Sequence, residues 1–308
     1  MHRFVLRRIL MMLPVLVGVM FVIFTLVYIT PGDPARMMLG ERAPPEALEA
    51  LRVKMGLDRP FLVQFAGYVS RVVRLDLGTS FSTARPVFAE LSFRFPSTAL
   101  LAGMSLLVAL LIGIPMGILC SVRHNSILDS VATVLGLVAL SVPNFWLGLM
   151  LILLFSVNLG WLPVSGFATP LHWVLPSFTI GLSMAGEFMR FTRSSMLEVI
   201  RQDYIRTARA KGQKESQIIL THALKNALIP LITVVGLSFG SLLGGAVLTE
   251  TIFAIPGVGG FMVQSIASRD FPIIQGGVLM IAVIFSLVNL IVDILYGFVD
   301  PRIRSQYG

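Results

Sequence analysis

The sequence predicts an all-α integral membrane protein built on six membrane-spanning helices. Three observations carry that expectation. Of 308 residues, 56% are hydrophobic and only 13% charged, against roughly 25% charged in a soluble domain; a chain with mean hydropathy +0.85 lacks the polar surface that water requires. Six apolar runs, at about 9–29, 98–120, 131–157, 173–190, 226–249 and 277–299, match the ~20 residues that a helix needs to cross a hydrocarbon core about 30 Å thick. Basic residues also crowd into alternate connecting segments. Disordered, collagen-like and disulfide-rich classes are excluded by the same composition, and the single cysteine, Cys120, excludes an internal disulfide or a thiolate zinc cage.

Taken in order, the first run follows Arg3, Arg7 and Arg8. It is too long for a signal peptide and leads into Pro31-Gly32-Asp33-Pro34 rather than a small-residue cleavage site, so it reads as a retained helix. Residues 31–96 mix a helix-like piece, Pro45 to Arg52, with turn signals at Gly56 and Pro60, and are expected to form a small external cap. The second run ends at Cys120, read as a buried small hydrophobe. The third contains Pro143, which removes a ladder hydrogen bond and should kink the helix. The fourth contains Glu187, expected to pair with Arg190 at i+3 or to face a translocation path or subunit seam. The fifth repeats small residues at every fourth position, Gly236, Gly240 and Gly244, a pattern that lets a second helix approach closely. In the sixth, Ser286, Asn289 and Asp293 share one helical face; that stripe would line a translocation path or a subunit seam, or form a hydrogen-bonded packing cluster. No internal repeat or linker divides the chain, so 1–308 is a single transmembrane domain.

Net charge +8 could signal nucleic acid, but its distribution argues for a bilayer. The N-terminus carries three Lys or Arg, Arg123 lies between the second and third runs, eight lie between the fourth and fifth, and Arg302 and Arg304 close the chain. The opposite short segments hold none in 158–172 and only Arg269 in 250–276. Both termini are therefore expected in the cytoplasm, with the lipid bilayer as partner and no nucleic acid.

Catalytic chemistry is hard to find. Gly236-Leu237-Ser238-Phe239-Gly240 matches a nucleophile pattern, but it lies within an apolar helix instead of a strand-to-helix turn. His2, His124, His172 and His222 show no ligand spacing. Pro256-Gly257-Val258-Gly259-Gly260 lacks the Lys-Ser/Thr pair of a phosphate loop. No catalytic residue, metal or cofactor is assigned to this chain.

The segment 191–225 carries most information. Asp203 is expected to cap a helix Tyr204 to Lys211, about eight residues and roughly 12 Å long, with Gly212 at the C′ position. Tyr204, Ile205 and Ala208 would form its apolar side while Arg206, Arg209 and Lys211 project elsewhere. Such an element could fit a groove on a soluble partner, or rest on anionic lipid.

The run Asp203-Tyr204-Ile205-Arg206-Thr207-Ala208-Arg209-Ala210-Lys211-Gly212, followed by Ala223 to Pro230, resembles the cytoplasmic coupling loop of peptide-type ABC importer permeases. Pro31-Gly32-Asp33-Pro34, Thr249-Glu250-Thr251-Ile252-Phe253 with Pro256-Gly257-Val258-Gly259, and Val292 to Tyr296 with Asp300 to Arg304 agree in order and position. The general importer pattern, Glu-Ala-Ala with Gly three residues later, is replaced by Arg206-Thr207-Ala208 before Gly212, which is similar to the dipeptide and oligopeptide branch. The resemblance implies a type I ABC importer permease fold in a bacterial cytoplasmic membrane and half of a two-permease channel. It further implies a homologous second permease, two cytoplasmic ATPase subunits that hold ATP and Mg, and an external peptide-binding protein. Residues 203–212 would couple ATP-driven closure to the spans. Short peptides would be the cargo, with glutathione, nickel complexes or haem as alternatives. A proton-coupled secondary transporter would need an intramembrane carboxylate relay and often repeated halves, whereas only Glu187 and Asp293 are available.

Overall fold

The computed structural model describes residues 2–40 and 42–299, without the side chains of residues 2–4, 229, 244, 245 and 295–299. Among the described residues the architecture is helical throughout. Helix α1 (His2–Ile29) precedes three short helices, α2 (Pro34–Leu39), α3 (Pro45–Met55) and α4 (Phe61–Val73). Then come α5 (Val87–Val122), α6 (Ile127–Ser141), α7 (Asn144–Leu151) with a π-helical continuation over Ile152–Asn158, and α8 (Pro170–Ile200). Helices α9 (Asp203–Ala210) and α10 (Glu215–Gln217), a π-helical turn over Ile218–Ala223, α11 (Leu224–Gly245), α12 (Val247–Ile252), α13 (Val258–Ala267) and α14 (Phe271–Val299) complete the order.

Local chemistry explains several boundaries. Asp33 caps α2 by accepting from the Ala35 amide, with Pro34 at the first helical position, where its missing N–H costs nothing. Gly56, at φ +70°, ends α3 in the left-handed conformation, as a C-terminal glycine does. Ser126 caps α6 by accepting from the Asp129 amide.

Among the described residues three single helices are long and apolar enough to cross a membrane, and five candidate spans result if each of two bent pairs is one span. At Pro143 the expected kink is a break: Ile127–Ser141 and Asn144–Asn158 meet at 101°. Proline forces the preceding residue out of the helical region, and Val142 is extended at ψ 124°. Pro230 lies at the second bend, 53°. The run 173–190 falls inside α8, which is not among those five. Its Leu175, Ile180, Phe188 and Met196 are buried by other helices, so protein rather than lipid surrounds it and uniform apolarity is not required. Two segments read as loop are helical instead. Residues 87–97 begin α5 and 191–200 extend α8, because neither stretch holds more than one helix breaker and each buries residues, Val87 and Leu91 in the first, Thr192 and Met196 in the second.

The centre of the bundle is the pair α5 and α8, the most extensive helix contact. It depends on missing side chains. A Cβ on Gly113 would lie 2.8 Å from the Ala185 carbonyl oxygen, and one on Gly117 would lie 2.7 Å from that of Met189. Helix α6 joins through Gly186, where a Cβ would stand 2.5 Å from the Gly136 carbonyl oxygen. Around this seam Leu101, Ala109, Leu175, Phe188, Leu231 and Phe253 form the main buried cluster. Between lipid-immersed helices such van der Waals contact, rather than water exclusion, provides the attraction.

Because backbone cannot yield as a flexible side chain can, Gly186→Ala should destabilise the purified protein by about 1–3 kcal/mol. Gly103→Ala, whose Cβ meets nothing within 4 Å, should be neutral or stabilising. Thermal melting in detergent checks both.

Candidate functional site

Helix α9 follows α8 after a two-residue turn. Gln202, not Asp203, occupies the N-cap position, and it makes no side-chain cap bond. Asp203 is the first helical residue, where a carboxylate favours the positive end of the helix dipole, and it pairs loosely with Arg206 at 3.6 Å. The helix ends at Ala210, Lys211 is its C-cap, and Gly212 turns the chain at φ +74°.

The apolar side differs from expectation. Ile205 and Ala208 are buried in a cluster with Met196, Ile218, Ile219, Ala223 and Ala227. Tyr204 is not on it: its ring is 46% exposed and its hydroxyl accepts from the Asn226 side-chain amide at 3.1 Å. The groove that receives α9 is therefore made by this chain, from α8, the π-helical turn and α11. What α9 and its C-cap present outward is mainly polar: Asp203, Arg206, Thr207, Arg209 and Lys211 are exposed, with Ala210 among them. Arg209 donates to both Glu215 oxygens, at 3.2 and 2.6 Å. That guanidinium holds the Glu215 carboxyl below the usual carboxylate range and fastens the Gly212 turn.

Between α6 and the last turns of α8 lies a charged cluster that the sequence did not disclose. Arg193 grips Asp129 with two hydrogen bonds, Nε to Oδ1 at 2.6 Å and Nη2 to Oδ2 at 2.8 Å. Asp129 is 3% exposed; it also accepts from the Asn125 amide and lies 3.2 Å from His124 Nδ1. The bidentate geometry is the strong form of this pair, and it ties the α5–α6 turn to the last turns of α8. Arg193 counted only as a basic loop residue in the sequence, and its partner is 64 positions away. Glu187 is half-buried, and among the described residues no ion pair joins it to Arg190.

At the opposite end of α5 a second polar cluster closes over Glu250, which is 1% exposed. Thr98 donates to Glu250 Oε1 at 2.7 Å and accepts from the Val258 amide, while the Gly260 amide donates to Oε2 at 2.8 Å. A side chain at Gly257 would collide with this carboxyl. The glycine-rich stretch thus wraps a buried acid rather than a phosphate. Burial pushes the Glu250 carboxyl up. Nearby, Asp270 accepts from Ser80 Oγ at 2.5 Å and from the Phe81 and Ser82 amides, each at 3.1 Å, and Arg94 pairs with Glu90 while covering the Phe261 ring at 3.8 Å. These bonds join residues 80–98 to 250–276 as one surface.

Of the stripe on α14, Asp293 faces α1 and pairs with Arg8 at 3.2 Å; Ser286 and Asn289 make no hydrogen bond to another side chain among the described residues. Gly236 and Gly240 bring α11 against Val292 and Phe285 of α14. Gly244's packing, and Asp300 to Arg304, lie outside the described residues.

Helices broken at proline surround a tightly packed central pair. The fold resembles that of the solved MetNI methionine ABC transporter in its inward-facing conformation, with TM-score 0.55 at 18% identity, covering 69% of this chain and 97% of that one. Residues 113–305 match the family described as binding-protein-dependent transport system inner membrane component, and residues 1–102 match its N-terminal companion. The chain belongs to that family. It is 43% identical over 306 residues to the glutathione transport system permease protein GsiC of Pectobacterium atrosepticum, covering 99% of this chain and all of that one. It is 41% identical over 338 residues to the dipeptide transport system permease protein DppB of Escherichia coli K12, covering 99% and 100%.

Two expectations follow. Removing one partner of a buried ion pair leaves an uncompensated charge, so Arg193→Leu should cost about 3 kcal/mol in thermal melting of the purified protein, and adding Asp129→Leu should restore more than half of it. A carboxyl with a raised folded pKa makes the native state bind more protons than the unfolded one. Stability from Glu250 is complete below the ordinary glutamate value and is lost as pH rises through the raised one. Glu250→Gln should abolish that slope in thermal melts recorded across pH.

Proposed function

We propose that this chain is one half of the translocation pathway of an ABC importer for short peptides, glutathione among them. The observation that carries this reading is full-length identity above 40% to permeases named for dipeptide and for glutathione transport. Six spans cross the bacterial cytoplasmic membrane, with α8 as the fourth, and both termini lie in the cytoplasm, in keeping with the basic residues that flank the runs on that side. A homologous permease completes the pathway. Two ATPase subunits bind ATP and Mg on the cytoplasmic side, and a peptide-binding protein delivers cargo on the other; its docking surface is the unit formed by 80–98 and 250–276.

Helix α9 is the coupling element. Its buried side, Ile205 and Ala208, belongs to the fold, so the ATPases engage its exposed outer face, Arg206, Thr207, Ala210 and Lys211. Movement of the ATPases on ATP binding tilts α9 together with the cluster beneath it, and the Arg193 and Asp129 pair carries that tilt to α6. A ligand or partner can shift such an arrangement only by as much as it binds one state better than the other, which is the part the ATPases supply.

Arg206→Glu should uncouple the machine. In proteoliposomes holding both permeases, the ATPases and the binding protein, uptake should fall tenfold or more, while insertion and the stability of the permease stay unchanged because Arg206 is 75% exposed. Gly212→Val, which strains a positive-φ turn, should reduce uptake as well. Normal uptake coupled to ATP in both variants overturns the role of α9, and solute uptake by the isolated chain overturns the importer reading.

A further inference from the structure

Helix α4 belongs to the stretch read from sequence as a small external cap, and its contacts show how deep that cap reaches. Its inward face packs on α1 deep below that helix's Ile29 end. Phe61 lies 5.8 Å from Phe21, 5.5 Å from Phe24 and 5.0 Å from Tyr28 between ring centroids. Phe65 stands 5.3 Å from Phe21, and Tyr68 is 5.6 Å from Phe24. Tyr68 is also buried in one cluster with Met20 and Leu279, against which Val283 packs. Met20 is nine residues from Ile29, ~14 Å along the helix axis at 1.5 Å per residue. Val283 is six residues inside the apolar run that starts at 277, ~9 Å by the same rise. Two independent membrane-crossing helices therefore set α4 at a depth of ~10 Å, within the hydrocarbon of one leaflet.

The outer surface of α4 is divided in the way this depth demands. Beside the inward face, Leu62, Ala66 and Val73 follow one another within ~40° of the helical wheel; all three are exposed, Leu62 at 69% and Val73 at 76%. Arg71 and Arg74 stand on the far side, also exposed, and Val63, 47% exposed, lies beside Arg74. Gln64, the polar residue nearest the inward face, donates to the Leu57 and Arg59 carbonyl oxygens and so is satisfied within the chain. The apolar flank is continuous with lipid-facing α1, because Phe21, 43% exposed, touches both Phe61 and Phe65.

We infer that α4 is an interfacial membrane helix: Leu62, Ala66 and Val73 lie among acyl chains of the leaflet at the Ile29 end of α1, and Arg71 and Arg74 meet lipid phosphate groups. Burial of an apolar flank with arginines snorkelling to the headgroups is the arrangement of helices that lie in a bilayer surface. The aromatic contacts then anchor α1 laterally, and the segment 31–86 is held down on the membrane instead of standing free in water. This inference rests on α1 and α14 crossing the membrane and is independent of which solute is carried.

Spin labels at single cysteines, in a Cys120→Ala background with partner subunits free of reactive thiols, test it in the assembled transporter in phosphatidylglycerol-containing vesicles. Labels at Leu62→Cys, Ala66→Cys and Val73→Cys should collide with oxygen severalfold more than with a water-soluble nickel chelate. Arg71→Cys and Arg74→Cys should show the reverse, with Ser70→Cys replacing either that fails to assemble. Preference for the nickel chelate at all positions means α4 lies in water and overturns the inference. Exclusion of both reagents at the first three positions means a protein covers the flank, and overturns it equally.

Discussion

The structure depends on how closely α5 and α8 approach each other. Gly113, Gly117 and Gly186 let backbone meet backbone, and in lipid that dense contact takes the place that water exclusion holds in a soluble core. Every other feature is hung on this pair. Helix α6 is seated by Gly186, α9 continues from the end of α8, and the glycine-rich turn around Glu250 is tied to Thr98 on α5. The two polar clusters sit at opposite ends of the seam: Thr98 is 22 residues before Cys120, whose neighbourhood includes Asp129 and Arg193. That separation is ~33 Å of helix, close to the thickness of a hydrocarbon core. Buried charge is thus kept to the two edges, where its cost is lowest.

This division accounts for what the sequence made legible. Spans are read from local hydropathy, and the long apolar helices stand where the runs do. The break at Pro143 was visible in place but not in size, since proline forbids a helical Val142 without saying how far the chain then turns. Helix α8 was the least apolar run because its neighbours are protein, and hydropathy cannot tell a helix inside a bundle from a weak span. The site was legible only in its nearest-neighbour part. Residues 203–212 announce a short helix with a glycine stop, and that helix is present within one residue at each end. The partners of Asp129, Glu250 and Asp270, at 64, 152 and 190 positions' distance, leave no periodic trace, because a buried ion pair or hydrogen bond needs spatial and not sequential proximity.

The orientation of α9 bears directly on the coupling role proposed for it. An apolar side turned outward would have made it a ligand for a groove, separable from its own fold. With Ile205 fully buried and Ala208 nearly so, α9 is instead part of a rigid corner, braced by Arg209 and Glu215 and by Tyr204 and Asn226. A braced corner transmits displacement, because packed interiors are bistable rather than continuously deformable. In the proposed role, charge on the exposed face is the part available to a partner, while the buried apolar face ties α9 to its own fold.

Helix α1 poses the converse problem of register. It is largely exposed along its length, and lipid tails attract leucine no more and no less than a neighbouring helix does, so apolar contact alone would let it slide along α14. Two specific interactions prevent this. Near one end Arg8 pairs with Asp293, and ~24 Å away along the helix Phe24 joins the rings of α4 and the cluster around Leu279. An ion pair at partial burial contributes little net stability, but a slide by one turn would separate the charges and strand Asp293 against lipid. The stripe that began as a candidate translocation path is, at Asp293, the feature that fixes where α1 sits.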